Sequence, residues 1–320
     1  MGVNRALVSV LSALFVVCAA SSPADTSTAV ARTTSPIAEL WSEPTDLERQ
    51  DLAVGRWGAG RAPDPRDRFT FLRHKTHGSS PGMTVHDTRG RVWHVKQGRE
   101  AQPEVFMSHV LAAIGYHQPP VYFLPSFTVI DSSGAHDAPA GRFRLADPTI
   151  IPRGEWKWED NPFVGSRPYQ GLLVVLVLLN SADLKNSNNT MYEVGGRTWY
   201  VVRDLGTSLG AVGRFDPEPN DPGRFERRRF ITGVKHGYVE FGDYHAVHAD
   251  VVTHRVTVDD VRWACALLAR LSERQWQDAF RGAGYPPEIG GRFVRRIREK
   301  IAEGRAVAGS PSRTLGPGMP

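Results

Sequence analysis

Cysteine is almost missing from this chain, which has only two cysteines among 320 residues. Cys18 lies in an apolar N-terminal stretch, so Cys265 would be the sole thiol left if that stretch were removed. An intramolecular disulfide would then be impossible, which excludes a fold held together by disulfides. Cys265 lies in an apolar helical pattern over 261–269, which is typical of core packing.

A hydrophobic run long enough to span a bilayer is also missing near the N-terminus. The apolar stretch after Arg5 covers only 6–20 and is followed by small residues, which predicts a secretory signal peptide over 1–22. Cys18 would permit lipidation, but Val17 stands where a small residue is expected, which favours cleavage alone. Ser, Thr, Pro and Ala then predict a disordered linker over 23–40. We therefore expect export to the periplasm or the extracellular space, with membrane contact only through an uncleaved leader.

Basic residues interleaved with aromatic residues are not found, and the formal net charge of +5 is modest and scattered. This pattern argues against a nucleic-acid partner. A denser basic cluster at 224–229 could contact an anionic substrate or a membrane, whereas 292–300 is interpreted as the solvated face of a terminal helix. The length allows one bilobal domain with an ample core.

Two polar motifs follow an apolar helical run over 171–179. The first runs from Asp183 through Lys185 to Asn188, and the second is Asp204-Leu-Gly206, 21 residues after Asp183. A hairpin over 191–202, with Gly195-Gly196 at its turn, separates them. Each motif alone is common, since Asp and Gly favour turns. Their joint order supplies what phosphoryl transfer needs, namely one carboxylate for the acceptor and an amide and a second carboxylate for Mg²⁺.

An independent pattern lies upstream. Residues 92–96 alternate as a strand ending in Lys96, and Glu104 follows eight residues later at the start of an amphipathic helix predicted over 103–115. A turn of small residues precedes this strand and could cover phosphates with its backbone N–H groups; it contains Gly78, Ser79, Ser80 and Gly82. Taken singly, Lys96 could be a solvated lysine, and Glu104 a first-turn acid favoured by the helix dipole.

Together these motifs resemble the protein-kinase-like superfamily over roughly residues 70–300. The stretch 95–104 is similar to that of phosphatidylinositol 3- and 4-kinases and of HipA-type bacterial kinases, with the chain as an exported bacterial member. The resemblance implies an α+β, bilobal protein-kinase-like fold. Its parts would be a small β-rich N-lobe over 41–155, a larger helical C-lobe over 156–305 and a disordered tail over 306–320.

The resemblance also implies the role of each site residue, with ATP between the lobes. Lys96 would contact the α/β-phosphates and be fixed by Glu104, while the loop of Gly78, Ser79, Ser80 and Gly82 covers the phosphates. Asp183 would orient the acceptor hydroxyl, and Lys185 would neutralise charge on the γ-phosphate. Mg²⁺ would be held by Asn188 and Asp204, and Gly206 would allow a sharp turn after the metal ligand.

Departures from protein kinases leave the acceptor open. The Gly-x-Gly-x-x-Gly loop is absent, and Leu205 replaces the Phe of Asp-Phe-Gly. The primary hypothesis is a monomeric, ATP-dependent phosphotransferase acting on a hydroxyl of an unknown protein, lipid or small molecule. One alternative is a nucleotide-binding pseudokinase or an AMP-transferring protein of the same fold. The second alternative is an exported, non-catalytic binding protein whose motifs are coincidental.

Overall fold

A computed structural model describes residues 36–76, 80–181, 183–211, 218–242, 244, 246 and 248–308. The predicted signal peptide, Gly78 and Ser79 lie outside these residues, as do most of the predicted linker and tail. Within the described ranges, no helix combines the length and the apolar character needed to cross a membrane.

Five strands near the start of the described chain close into a barrel. They are β1 (Arg68–His74), β2 (Gly82–His86), β3 (Val92–Gln97), β4 (Val121–Asp131) and β5 (Gly134–Leu145), in the order β1-β2-β3-β5-β4. All neighbouring pairs are antiparallel except β1 and β4, which are parallel. Alternate side chains fill the interior, as a pleated strand requires. This core includes Phe69, Val85, Trp93, Val95, Phe127 and Phe143.

Strand β5 begins earlier than the sequence pattern predicts. Short strands over 121–130 and 141–145 with a polar loop between them were expected, but Asp131 pairs with Gly134 in one long hairpin. Most residues of β5 before Gly141 are exposed, so they carry no apolar alternation from which a strand could be predicted.

A single helix, α1 (Ala101–Ala113), follows β3, and every residue of it except Gln102 is buried. The predicted amphipathic helix thus exists, but it has no solvated face. The barrel covers one side through contacts with β4 and β5. On another side, the ring of Phe106 stacks at 4.0 Å on that of Phe280 and lies 6.2 Å from that of Trp276.

The rest of the described chain is mainly helical. It contains α2 (Arg167–Leu178), α3 (Pro222–Arg227), α4 (Val258–Ala269), α5 (Glu273–Gly282) and α6 (Pro287–Ala306). Two small sheets accompany them: β6 (Ile150–Gly154), β7 (Asn189–Val194) and β8 (Arg197–Val202) in one, β9 (Ile231–Lys235) and β10 (Tyr238–Phe241) in the other. The Thr257–Asp260 capping box starts α4 as the sequence predicts, because each side chain accepts from the other residue's backbone N–H.

The predicted α+β class, with a small β-rich lobe and a larger helical lobe, is confirmed. Pro36–Glu39 already forms a short 3-10 helix and Leu40 is buried, so the packed part of the chain includes the last residues assigned to the linker. At the other end, α6 continues to Ala306.

Candidate active site

The end of strand β3 and the first turn of α1 bring a lysine and a glutamate together. Lys96 is only 3% exposed, and its Nζ lies 3.1 Å from Glu104 Oε2. Glu104 Oε1 in turn lies 3.1 Å from Arg142 Nε on β5. The pairing expected for Lys96 and Glu104 is therefore present, and Arg142 is a further partner that the sequence did not indicate.

A second acid on this lysine was missed. Glu100, immediately before α1, places Oε2 2.6 Å from Lys96 Nζ, and Ser80 Oγ donates to the same oxygen at 2.9 Å. The spacing of four residues between Lys96 and Glu100 was the available signal. The predicted loop residue Ser80 therefore contacts the acid rather than projecting freely, and Gly82 is the first residue of β2, directly opposite Lys96.

The β7–β8 hairpin carries the predicted metal ligands to the same place. Both turn glycines, Gly195 and Gly196, have positive φ, as this tight hairpin requires. The Arg203 N–H donates to Asn188 O at 3.0 Å, so Asn188 and Asp204 come together at the open end of the hairpin. Asp204 Oδ1 makes an ion pair with Lys96 Nζ, although the two residues are 108 positions apart.

Gly206 is required for a different reason from the one expected. The left-handed residue in this turn is Asp204, with φ of 54°, and Gly206 is not among the positive-φ glycines. A Cβ on Gly206 would lie 2.5 Å from Glu100 Cβ and 2.7 Å from Glu100 O. Glycine therefore lets the Asp204 loop approach the start of α1. The expected turn is present at 205–206, but it does not require a positive φ at Gly206.

Asp183 and Lys185 lie on the loop after α2. Lys185 Nζ is 3.1 Å from both carboxylate oxygens of Asp183, and Oδ1 has no hydrogen bond of acceptable geometry with any described residue. Asn188 Nδ2 donates to the backbone oxygen of Asp183 at 3.1 Å, which ties the predicted metal-ligand amide to the predicted catalytic carboxylate. Asp183 Oδ1 is therefore a buried carboxylate oxygen with an unused acceptor position among the described residues.

Buried Lys300 is an exception to the solvated face predicted over 292–300, where Arg295 and Arg298 are exposed, and it anchors the end of α2. Its Nζ donates to Leu178 O at 2.9 Å and to Asn180 Oδ1 at 3.1 Å, so it satisfies the end of α2. The ammonium also lies 3.9 Å from the centre of the Phe225 ring. Burial lowers the pKa of Lys300 well below its ordinary value, and nearby Arg296 adds to this effect.

Ion pairs in the cleft change the pKa values of Lys96 and Glu104 more than burial does. Burial alone would lower the pKa of Lys96, but the carboxylates of Glu104, Asp204 and Glu100 raise it above its ordinary value. Burial would raise the pKa of Glu104, but Arg142 and Lys96 bring it down to about 2. Both groups are therefore charged at neutral pH.

Two cavities share part of their lining, and one of the two reaches Lys96. One, of about 320 Å³, is bounded by β1, β2, β3 and β5 and reaches Lys96 and Arg142. The other, of about 430 Å³, extends to Pro119, Leu145, Ile150 and Tyr192. Both are lined by His94, Arg144 and Arg203, none of which the sequence analysis identified. Burial and the surrounding arginines lower the pKa of His94 to about 4, so its ring is neutral at pH 7.

The predicted metal ligands suit Mg²⁺. Asn188 and Asp204 offer an amide and a carboxylate oxygen, which are the ligand types that Mg²⁺ prefers. Asp204 is accessible, with 48% of its side chain exposed. Within the described residues there is no group of three His, Cys, Asp or Glu that could hold a metal. Mg²⁺ in phosphoryl-transfer sites needs only one or two protein ligands, because phosphates and water complete its shell.

The similarity of this chain to known proteins is weak. No protein-family model matches the chain, and no curated protein matches it. Among solved structures, the proinflammatory kinase CtkA of Helicobacter pylori is 11% identical, with a TM-score of 0.43 over 75% of this chain and 95% of that one. The Golgi casein kinase is 10% identical, with a TM-score of 0.37 over 84% of this chain and 79% of that one. Likeness at this level is too weak to assign a function.

Proposed function

We propose that this protein is a kinase-like phosphotransferase that binds ATP in the cleft beside Lys96 and moves the γ-phosphoryl group to a hydroxyl acceptor. The observation that carries the proposal is the convergence of three segments, one of them far away in the sequence, on one ammonium. Lys96 from β3 contacts Glu104 from α1 and Asp204 from the loop after β8. Coincidental motifs would have no reason to meet, whereas phosphoryl transfer needs this grouping.

The donor side of the site has suitable size and charge. The cavities of about 320 and 430 Å³ fall within the range of small-molecule sites. The larger cavity has an apolar portion, with Leu145 and Ile150, that suits a base. The smaller one contains Lys96, which suits phosphates.

The acceptor side consists of the loop after α2. Asp183 would accept the proton of the attacking hydroxyl at Oδ1, and Lys185 would stabilise charge on the group being transferred. Asn188 and Asp204 would hold Mg²⁺, which when bound neutralises phosphate charge. The acceptor would be a hydroxyl group of a protein, a lipid or a small molecule. The predicted export of the chain belongs to the same proposal.

A nucleotide-binding protein without transfer activity is the second candidate. The specific observation in its favour is the saturation of Lys96, whose Nζ already contacts three carboxylates, Glu100, Glu104 and Asp204. In this arrangement Asp204 is shared between the lysine and any metal ion, which would weaken catalysis.

Binding and label transfer test the proposal. Mg²⁺-ATP should raise the melting temperature of the protein, and Asp204→Asn should reduce that shift. The matched control, Asp259→Asn, changes a carboxylate that is 73% exposed on α4 and should leave the shift unchanged. Transfer of γ-labelled but not α-labelled phosphate, lost in Asp183→Asn, would establish phosphoryl transfer. Transfer of the α-label would establish adenylyl transfer, and ATP binding without either would establish the second candidate. No shift in the unmodified protein would refute nucleotide binding.

A further inference from the structure

Two arginines lie where the adjoining cavities meet, and neither guanidinium forms an ion pair within 4.0 Å of a carboxylate of the described residues. Arg144, on β5, makes no side-chain hydrogen bond or ion pair with another described residue, although it lines both cavities. Arg203, directly before Asp204, donates from Nη1 to Thr190 Oγ1 at 3.2 Å. Its Nε is buried without any hydrogen-bond partner in the described part of the chain.

The neighbouring acids are already engaged elsewhere. Glu104 is shared by Lys96 and Arg142. Asp147 lines the larger cavity but makes an ion pair with Arg61. Among the described residues lining the smaller cavity, six are basic and none is acidic; the basic ones are Arg73, Lys75, Lys96, Arg142, Arg144 and Arg203. Carboxylates pair with Lys96 and Arg142, so the surplus of positive charge at the junction comes from Arg144 and Arg203.

This arrangement is costly without a ligand. Burial lowers the pKa of Arg144 to about 9, and Arg203 and Arg142 add to the effect through like-charge repulsion. Arg144 still carries its charge at neutral pH, so the repulsion is not relieved by loss of a proton. A bound anion would relieve it, and a guanidinium is well suited to forked hydrogen bonds with oxyanions.

We propose that Arg144 and Arg203 form a clamp for a phosphate group at the junction of the two cavities. Phosphate fits better than carboxylate because two guanidiniums offer more N–H donors than two oxygens can accept. A terminal phosphate presents three oxygens and nearly two negative charges. The clamp is separate from Lys96, whose charge is already matched by three carboxylates.

The phosphate group has two possible sources. It could belong to the triphosphate of the nucleotide, in which case the clamp deepens the proposed function and rests on it. It could instead belong to a separate phosphorylated molecule bound beside the nucleotide. The chemistry of recognition is the same in both cases, so binding measurements with simple phosphates can test the clamp independently of transfer.

Calorimetry with tripolyphosphate and inorganic phosphate, without metal, tests the clamp. Arg144→Gln and Arg203→Gln should each weaken tripolyphosphate binding roughly ten- to a hundredfold, as expected for loss of hydrogen bonds to a charged group. The matched control is Arg153→Gln, because Arg153 is 53% exposed and already paired with Glu193. Each clamp variant should also melt no lower than the unmodified protein without ligand, since it removes an unpaired charge. Equal tripolyphosphate affinity in the clamp and control variants, or no tripolyphosphate binding in the unmodified protein, would overturn the proposal.

Competition identifies the source. If the clamp binds the phosphates of the nucleotide, tripolyphosphate will displace ATP. Both clamp variants will then bind ATP more weakly, but their affinity for adenosine will be unchanged. If it takes a separate group, ATP will bind with unchanged affinity in the presence of saturating phosphate. Both outcomes support the clamp. If the protein binds tripolyphosphate through the clamp but transfers no label, the phosphotransferase proposal is refuted and the clamp is not.

Discussion

Replacing Glu104 with glutamine should expose how much the central charge pairing stabilises the protein. Glu104 is buried, with its two oxygens 3.1 Å from Lys96 Nζ and 3.1 Å from Arg142 Nε. Lys96 keeps two other carboxylates, but Arg142 loses the only carboxylate to which it is paired among the described residues. Breaking a buried pair in this way costs about 3 kcal/mol or more.

The lowered pKa of Glu104 gives a second way to obtain its contribution to stability. The pKa of Glu104 falls from an ordinary 4.5 to about 2 on folding. A lowering of this size corresponds to about 3 kcal/mol of stability. Because the folded pKa is the lower one, this contribution is complete above pH 4.5 and is lost as the pH falls towards 2. By pH 3 roughly half of this contribution should remain.

Urea unfolding of Glu104→Gln and the unmodified protein at pH 7 and pH 3 is the appropriate assay. We expect a difference of about 3 kcal/mol at pH 7 that shrinks by about half at pH 3. Glu193→Gln is the control, because its exposed pair with Arg153 should contribute less than about 1 kcal/mol. A Glu104→Gln variant as stable as the control at pH 7, or a difference independent of pH, would refute the reasoning.

Two further substitutions test how the loops are held. Gly206→Ala should destabilise the protein by about 1–3 kcal/mol, because the new Cβ would meet Glu100, whereas Gly60→Ala, with nothing within 4 Å of its Cβ, should not. Equal melting temperatures for these two variants would contradict the close approach of the Asp204 loop to α1. Lys300→Met should cost about 1–3 kcal/mol in urea unfolding, because Leu178 O and Asn180 Oδ1 lose their donor. Arg298→Met, on the exposed side of the same helix, is its control, and equal loss in both would argue against the anchor.

Local signals in the sequence were sufficient for much of the site. The Gly195-Gly196 turn fixes the register of β7 and β8, which in turn brings Asn188 close to Asp204. Alternation over 92–96 predicted β3, whereas the pairing of Glu104 with Lys96 was implied by the resemblance to kinases. These features depend on neighbouring residues, which is why a single sequence reveals them.

The residues that were missed depend on what packs against them. Arg144 alternates with buried Phe143 and so has the pattern of a solvent-facing strand residue, yet it faces the cleft. Lys300 lies in a basic helical stretch, but its neighbours α2 and α3 cover it completely. Sequence periodicity indicates which side of an element is polar, but not whether water or another part of the chain lies on that side.

The stacking of Phe106 on Phe280 restricts the movement of the helix that carries Glu104. Helix α1 carries Glu104 and is wedged between the barrel and α5, so turning it would break apolar packing on both sides. Interiors packed this closely resist gradual deformation. The Lys96–Glu104 ion pair is accordingly held in place by the packing of α1. We expect any control of the proposed activity to act elsewhere than on the position of this helix.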